Sequence, residues 1–152
     1  MVLKYSKYGL IDGLIFLFPA FPIFSLLPML GIAKVLGDHF SDCEAGYRIT
    51  YLASLILAII IDLIFITSRL INKNTDQVNK FAFFSFNLLL YLLVNSFGFV
   101  AFVGTNAACH GDGQVILGCM FSGPITSLII FINGIIIDLA VHLKKRRYGH
   151  KQ

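Results

Sequence analysis

Residues 49–68 read ITYLASLILAIIIDLIFITS, an apolar run in which Asp62 is the single charged side chain. At a rise of about 1.5 Å per residue such a run forms a helix roughly 30 Å long, the thickness of the hydrocarbon core of a bilayer. Three more runs, 9–33, 81–104 and 115–143, meet the same requirement of roughly 20 residues. The pattern predicts an all-α polytopic membrane protein: an antiparallel bundle of four transmembrane helices in a single integral domain spanning 1–152.

Composition agrees. Of 152 residues, 57% are hydrophobic and 13% charged, with a mean hydropathy of +0.82, whereas soluble domains carry about 25% charged residues. The longest hydrophilic stretch is about 15 residues, too short to bury a core of its own. The first run follows Lys4 and Lys7, as a secretory signal would. Its apolar length exceeds the roughly 7–15 residues of a signal core, and Lys34 follows without a small-x-small cleavage site, so it is read as a retained helix. Pro19, Pro22 and Pro28 lie within it. Each lacks a backbone donor and crowds the preceding turn, which predicts a kinked or broken helix.

Basic residues orient the bundle. Lys4 and Lys7 precede the first run, Arg69, Lys73 and Lys80 lie between the second and third, and Lys144, Lys145, Arg146, Arg147 and Lys151 follow the fourth. Ten of the twelve Lys and Arg thus fall on one side, and the positive-inside rule makes that side, with both termini, cytoplasmic. Two outer loops result, 37–46 and the stretch 106–114, NAACHGDGQ. The latter holds the Cys-His-Gly that ends a c-type haem site, but covalent haem needs a second thiol where this chain has Asn106. Each outer loop carries one cysteine, and an oxidising exterior favours a Cys43–Cys109 disulfide, with two free thiols as the alternative. His39, Cys43, Cys109 and His110 would be a recognised zinc set, yet the Cys-x-x-Cys spacing is missing, so no metal is assigned. Cys119, within the fourth run, reads as a small packing residue, and Gly98 and Gly104 read as sites of close helix contact.

IIIDLIFITSR at 59–69 echoes IIIDLAVHLKK at 135–145, which suggests that the second hairpin repeats the first. Asp12, Asp62, Asn87 and Asp138 each fall one to two turns inside a cytoplasmic helix end, so antiparallel packing predicts one intramembrane polar layer. Such carboxylates face the bundle interior, pair, or snorkel toward basic neighbours; alternatively they line a proton or cation path. On the structural reading, Asn in place of Asp62 or Asp138 is expected to cost little, because intramembrane hydrogen bonds average about 0.6 kcal/mol.

Gly-rich phosphate loops, His-Glu-x-x-His and nucleophile elbows are all missing from the sequence. The chain is therefore expected to be non-enzymatic, with no cofactor and no nucleic-acid partner. In length and predicted topology it is similar to small four-helix groups, MARVEL-type tetraspans and the immunity proteins that guard bacteria against pore-forming colicins. That similarity is topological and carries no residue roles. The expected function is action through contacts with the lipid bilayer and a membrane-protein partner or second copy, as an accessory subunit, immunity or exclusion factor, or scaffold. The alternative is a small oligomeric transporter or ion-coupled protein that uses the Asp layer. The outer loops lack Asn-x-Ser/Thr sequons, which favours a bacterial inner membrane.

Overall fold

The computed structural model describes residues 4–18, 20–71, 79–110 and 114–149, and leaves out the side chains of 114–116, 119 and 145–149. Pro19, Lys73, Asp112, the side chain of Cys119 and the basic side chains from Lys145 onward lie outside the described residues. Within them the chain is helical and contains no strand: α1 (Lys4–Phe16), α2 (Ala20–Phe40), α3 (Cys43–Ile71), α4 (Lys80–Val103), α5 (Thr105–His110) and α6 (Gln114–Gly149). Among the described residues, four stretches are long and apolar enough to cross a membrane: α2, α3, α4 and Met120–Lys144 within α6.

The expected helix 9–33 is not continuous. α1 stops at Phe16, and the helix of membrane length is α2, which starts at Ala20 and runs past the expected end to Phe40. Proline geometry accounts for the break: the Pro22 ring would collide with the carbonyl four residues back, at Phe18, in a continuous helix. Turn bonds close the gap instead, from Phe18 N–H to Ile15 O at 3.2 Å and from Phe21 N–H to Phe18 O at 2.9 Å. Pro28 is accommodated inside α2.

The outer loop expected over 37–46 is mostly helix as well. α2 and α3 are separated only by Ser41 and Asp42. Ser41 takes φ +53°, and Asp42 N–H donates to Gly37 O at 3.0 Å, so the end of α2 is closed in the left-handed manner usual for glycine. The Asp42 carboxylate then caps α3, accepting from Ala45 N–H at 3.2 Å. α4 is bounded as its sequence suggests. Asn79 accepts from Ala82 N–H at 3.2 Å, and Gly104, at φ +79°, ends the helix with its N–H on Val100 O. Gly104 therefore serves as a helix terminator rather than a contact glycine.

α4 lies at the centre. Phe83, Tyr91 and Asn87 are fully enclosed, and Leu90, Leu93 and Phe99 nearly so. Phe65 of α3 stacks on Phe86 with ring centroids 3.9 Å apart, Tyr5 of α1 meets Phe83 edge-on at 5.3 Å, and Phe16 packs on Tyr91 at 4.9 Å. Glycines set the closest approaches elsewhere. A Cβ at Gly46 would fall on the backbone of Ala33 and Gly37, so α3 meets α2 backbone to backbone. A Cβ at Gly134 would lie 2.8 Å from Tyr5 O, so α1 also approaches α6 backbone to backbone. Lipid tails are as apolar as leucine, so contact packing of this kind has to supply what the hydrophobic effect supplies in water.

Candidate functional site

The four residues expected to form one polar layer are divided among three hydrogen-bonded sets. Asp12 accepts from Asn87 Nδ2 at 2.6 Å, joining α1 to α4. Both are buried, Asp12 at 6% exposure and Asn87 at 0%. Both belong to the four residues grouped from the sequence, which did not single out this pairing. Asp62, half-buried on α3, accepts instead from Asn133 Nδ2 of α6 at 2.8 Å, a residue the sequence reading passed over.

Asp138 has a different role. Its carboxylate accepts from Tyr5 N–H at 3.2 Å, from Ser6 N–H at 2.8 Å and from Ser6 Oγ at 2.8 Å. The first amides of a helix have no partner within it, and they carry the positive end of the helix dipole. Asp138 thus caps α1 from another helix. Gly134 stands one turn earlier on α6, and the close approach it permits at Tyr5 brings the α1 amides within reach of the carboxylate. Asp62 and Asp138 are equivalent in the IIIDL echo, yet one bonds a side-chain amide and the other a helix terminus; the sequence similarity does not extend to their surroundings.

A polar ladder along α4 was also missed. Asn87, Tyr91 and Asn95 recur every four residues, so they share one face. They track the broken segment from one end to the other. Asn87 holds Asp12. The Tyr91 hydroxyl donates to Phe16 O, the last carbonyl of α1, at 3.4 Å, and Asn95 Nδ2 donates to Pro22 O at 3.1 Å and to Ser25 Oγ at 2.5 Å. A helix break inside a membrane needs such donors, since lipid offers none. The i, i+4, i+8 spacing of polar residues in an otherwise apolar run was the signal available.

At the α2–α3 turn, the Cys43 and Cys109 sulfurs are bonded at 2.03 Å, with Cα atoms 6.0 Å apart. The bridge ties the first residue of α3 to α5. Both thiols are thereby used, and the two histidines of the zinc alternative make local contacts: His110 Nδ1 lies 2.9 Å from Asn106 O, and His39 meets the Phe40 ring edge-on. The Cys-His sequence that raised the haem question is a short helix anchored by this disulfide. Beside it opens a cavity of about 800 Å³ between the end of α2, the start of α3 and α5. Comparison with protein-family models, curated proteins and solved structures gives no match for this chain.

Proposed function

We propose that the chain is a non-catalytic multi-pass protein of the bacterial inner membrane, an antiparallel bundle with both termini cytoplasmic. It acts through contacts with a membrane-protein partner or a second copy, as an accessory subunit, immunity or exclusion factor, or scaffold. The orientation rests on the ten basic residues gathered on one side.

The observation that carries the contact reading is how the carboxylates are engaged. Asp12, Asp62 and Asp138 each bond a group on a different helix, which gives them a role in holding helices together. Meanwhile α3 presents a broad apolar face, with Ile56, Ile60 and Leu63 all exposed. In a bilayer that face is available to a partner helix as well as to lipid.

A photo-crosslinker at Ile60 should give a discrete protein adduct in cells, while one at the buried Leu90 should give none. In proteoliposomes, proton and alkali-cation flux should equal that of empty vesicles. Lipid adducts alone from Ile60, together with a flux that Asp12→Asn abolishes, would establish the ion-coupled alternative in its place.

A further inference from the structure

The cavity at the α2–α3 turn is lined by both apolar and charged residues, Leu30 and Ala33 among the first and Lys34, Asp38 and Asp42 among the second. From Leu30 to Asp38 is eight residues of α2, or about 12 Å. Lys34 and Asp38 are four residues apart and so share a helix face, yet no ion pair joins them among the described residues. Asp42 gives one oxygen to the α3 cap. The Cys43–Cys109 bridge forms part of the wall and holds α5 against the start of α3. At about 800 Å³ the space is within the roughly 300–1,000 Å³ range of ligand pockets.

We propose that this cavity binds the headgroup and upper acyl chain of a phospholipid carrying a primary ammonium, with Lys34 on the phosphate and Asp38 and Asp42 on the ammonium. The lining selects against the simpler alternatives. Two carboxylates repel a plain anion, and a plain cation would leave Lys34 without a counter-charge from the ligand. A quaternary ammonium is recognised by an aromatic cage, whereas Tyr47 is the single aromatic residue among those lining the cavity. A primary ammonium has N–H groups that carboxylates can accept. The apolar members of the lining, Leu30 and Ala33, suit a ligand with a hydrocarbon portion. In the orientation proposed above, the site lies at the outer surface, where a headgroup meets its chains. The inference goes beyond the contact function and holds whether or not a protein partner exists.

The test uses full-length oxidised protein in nanodiscs containing either phosphatidylethanolamine or phosphatidylcholine on the same anionic background, with retained lipid read by native mass spectrometry. Phosphatidylethanolamine should be retained as a discrete adduct and phosphatidylcholine should not. Lys34 and Asp38 are exposed and their side chains take no part in the helix caps, so Lys34→Gln and Asp38→Asn should leave helicity and elution unchanged while weakening the adduct about tenfold or more. Equal retention of the two lipids would overturn the proposal, as would wild-type retention by both variants. Stabilisation by soluble phosphoethanolamine with no retained lipid would assign the cavity to a free zwitterion and overturn the lipid assignment.

Discussion

α3 and α4 stand at opposite extremes of this molecule. α3 is the more apolar, with a mean hydropathy of 2.6 against 2.0, yet 17% of its spanning window is buried inside the protein, compared with 56% for α4. In water the order would be reversed. In a bilayer, lipid solvates Ile and Leu as well as a protein interior does, while an Asn or Tyr hydroxyl must find a partner within the protein. Between these two helices the higher hydropathy goes with the outer position, and the polar ladder of α4 marks the centre. What α3 does bury is a row of small residues, Gly46, Thr50, Ser54 and Ala58, each four apart. Two of them satisfy their hydroxyls on their own helix, Thr50 on Gly46 O and Ser54 on Thr50 O, both at 2.8 Å.

The largest expected effect falls on the less buried helix. Gly46→Val places methyl groups where the α2 backbone stands, and folded protein should fail to accumulate, as read by size-exclusion elution of a fluorescent fusion. Ile60→Val, on the exposed face of the same helix, should accumulate normally. Wild-type levels of Gly46→Val would contradict backbone contact between α2 and α3.

Next in size is the contrast between helices. Phe83→Ala removes a fully enclosed ring of α4 that touches Tyr5 and Phe65, and should cost about 3–5 kcal/mol of stability in detergent. Leu63→Ala on α3, 57% exposed, should cost close to nothing. Similar losses for the two would mean that burial does not distinguish these helices.

The smallest effect separates the two echoed carboxylates. Asp138→Asn replaces an acceptor of three bonds by a group with one acceptor oxygen and two N–H donors, which then face other donors, and should cost about 1–3 kcal/mol. Asp62→Asn keeps an oxygen for Asn133 Nδ2 and should cost about 0.6 kcal/mol or less. The sequence alone led to the same small cost for both. Equal stability of the two variants in an unfolding titration would restore that expectation and argue against Asp138 as a cap for α1.

Legibility followed the range of each signal. The apolar run 81–104 became α4 almost residue for residue, because hydropathy is summed over neighbours and the flanking Asn79 and Gly104 end the helix locally. The prolines announced a disrupted first helix, but not that the membrane-length part would begin after the break and extend to Phe40. The turn at Ser41 was hidden because the residue in the left-handed conformation is not glycine. The glycines that matter most were passed over for a related reason: a Cβ at Gly98 would make ordinary contact with the Ser122 Cβ at 3.7 Å, while Gly46 and Gly134 are pressed against neighbouring backbone with no room for one. Every glycine looks alike in sequence, and only the facing helix makes one indispensable.

By itself, the sequence determined that the chain is helical, that four of its segments are long and apolar enough to span a membrane, and that Cys43 and Cys109 were candidates to pair. These follow from composition, from spacing along one helix, and from a small number of thiols. Tertiary structure alone decided how the buried polar groups are distributed: Asp12 to Asn87, Asp62 to Asn133, and Asp138 to the amides of Tyr5 and Ser6, 133 and 132 residues away. A carboxylate in an apolar run must find a donor, since leaving it unpaired in hydrocarbon is costly. Which donor it finds depends on which helix faces stand side by side, and glycines such as Gly134 set that through contacts between segments far apart in the chain.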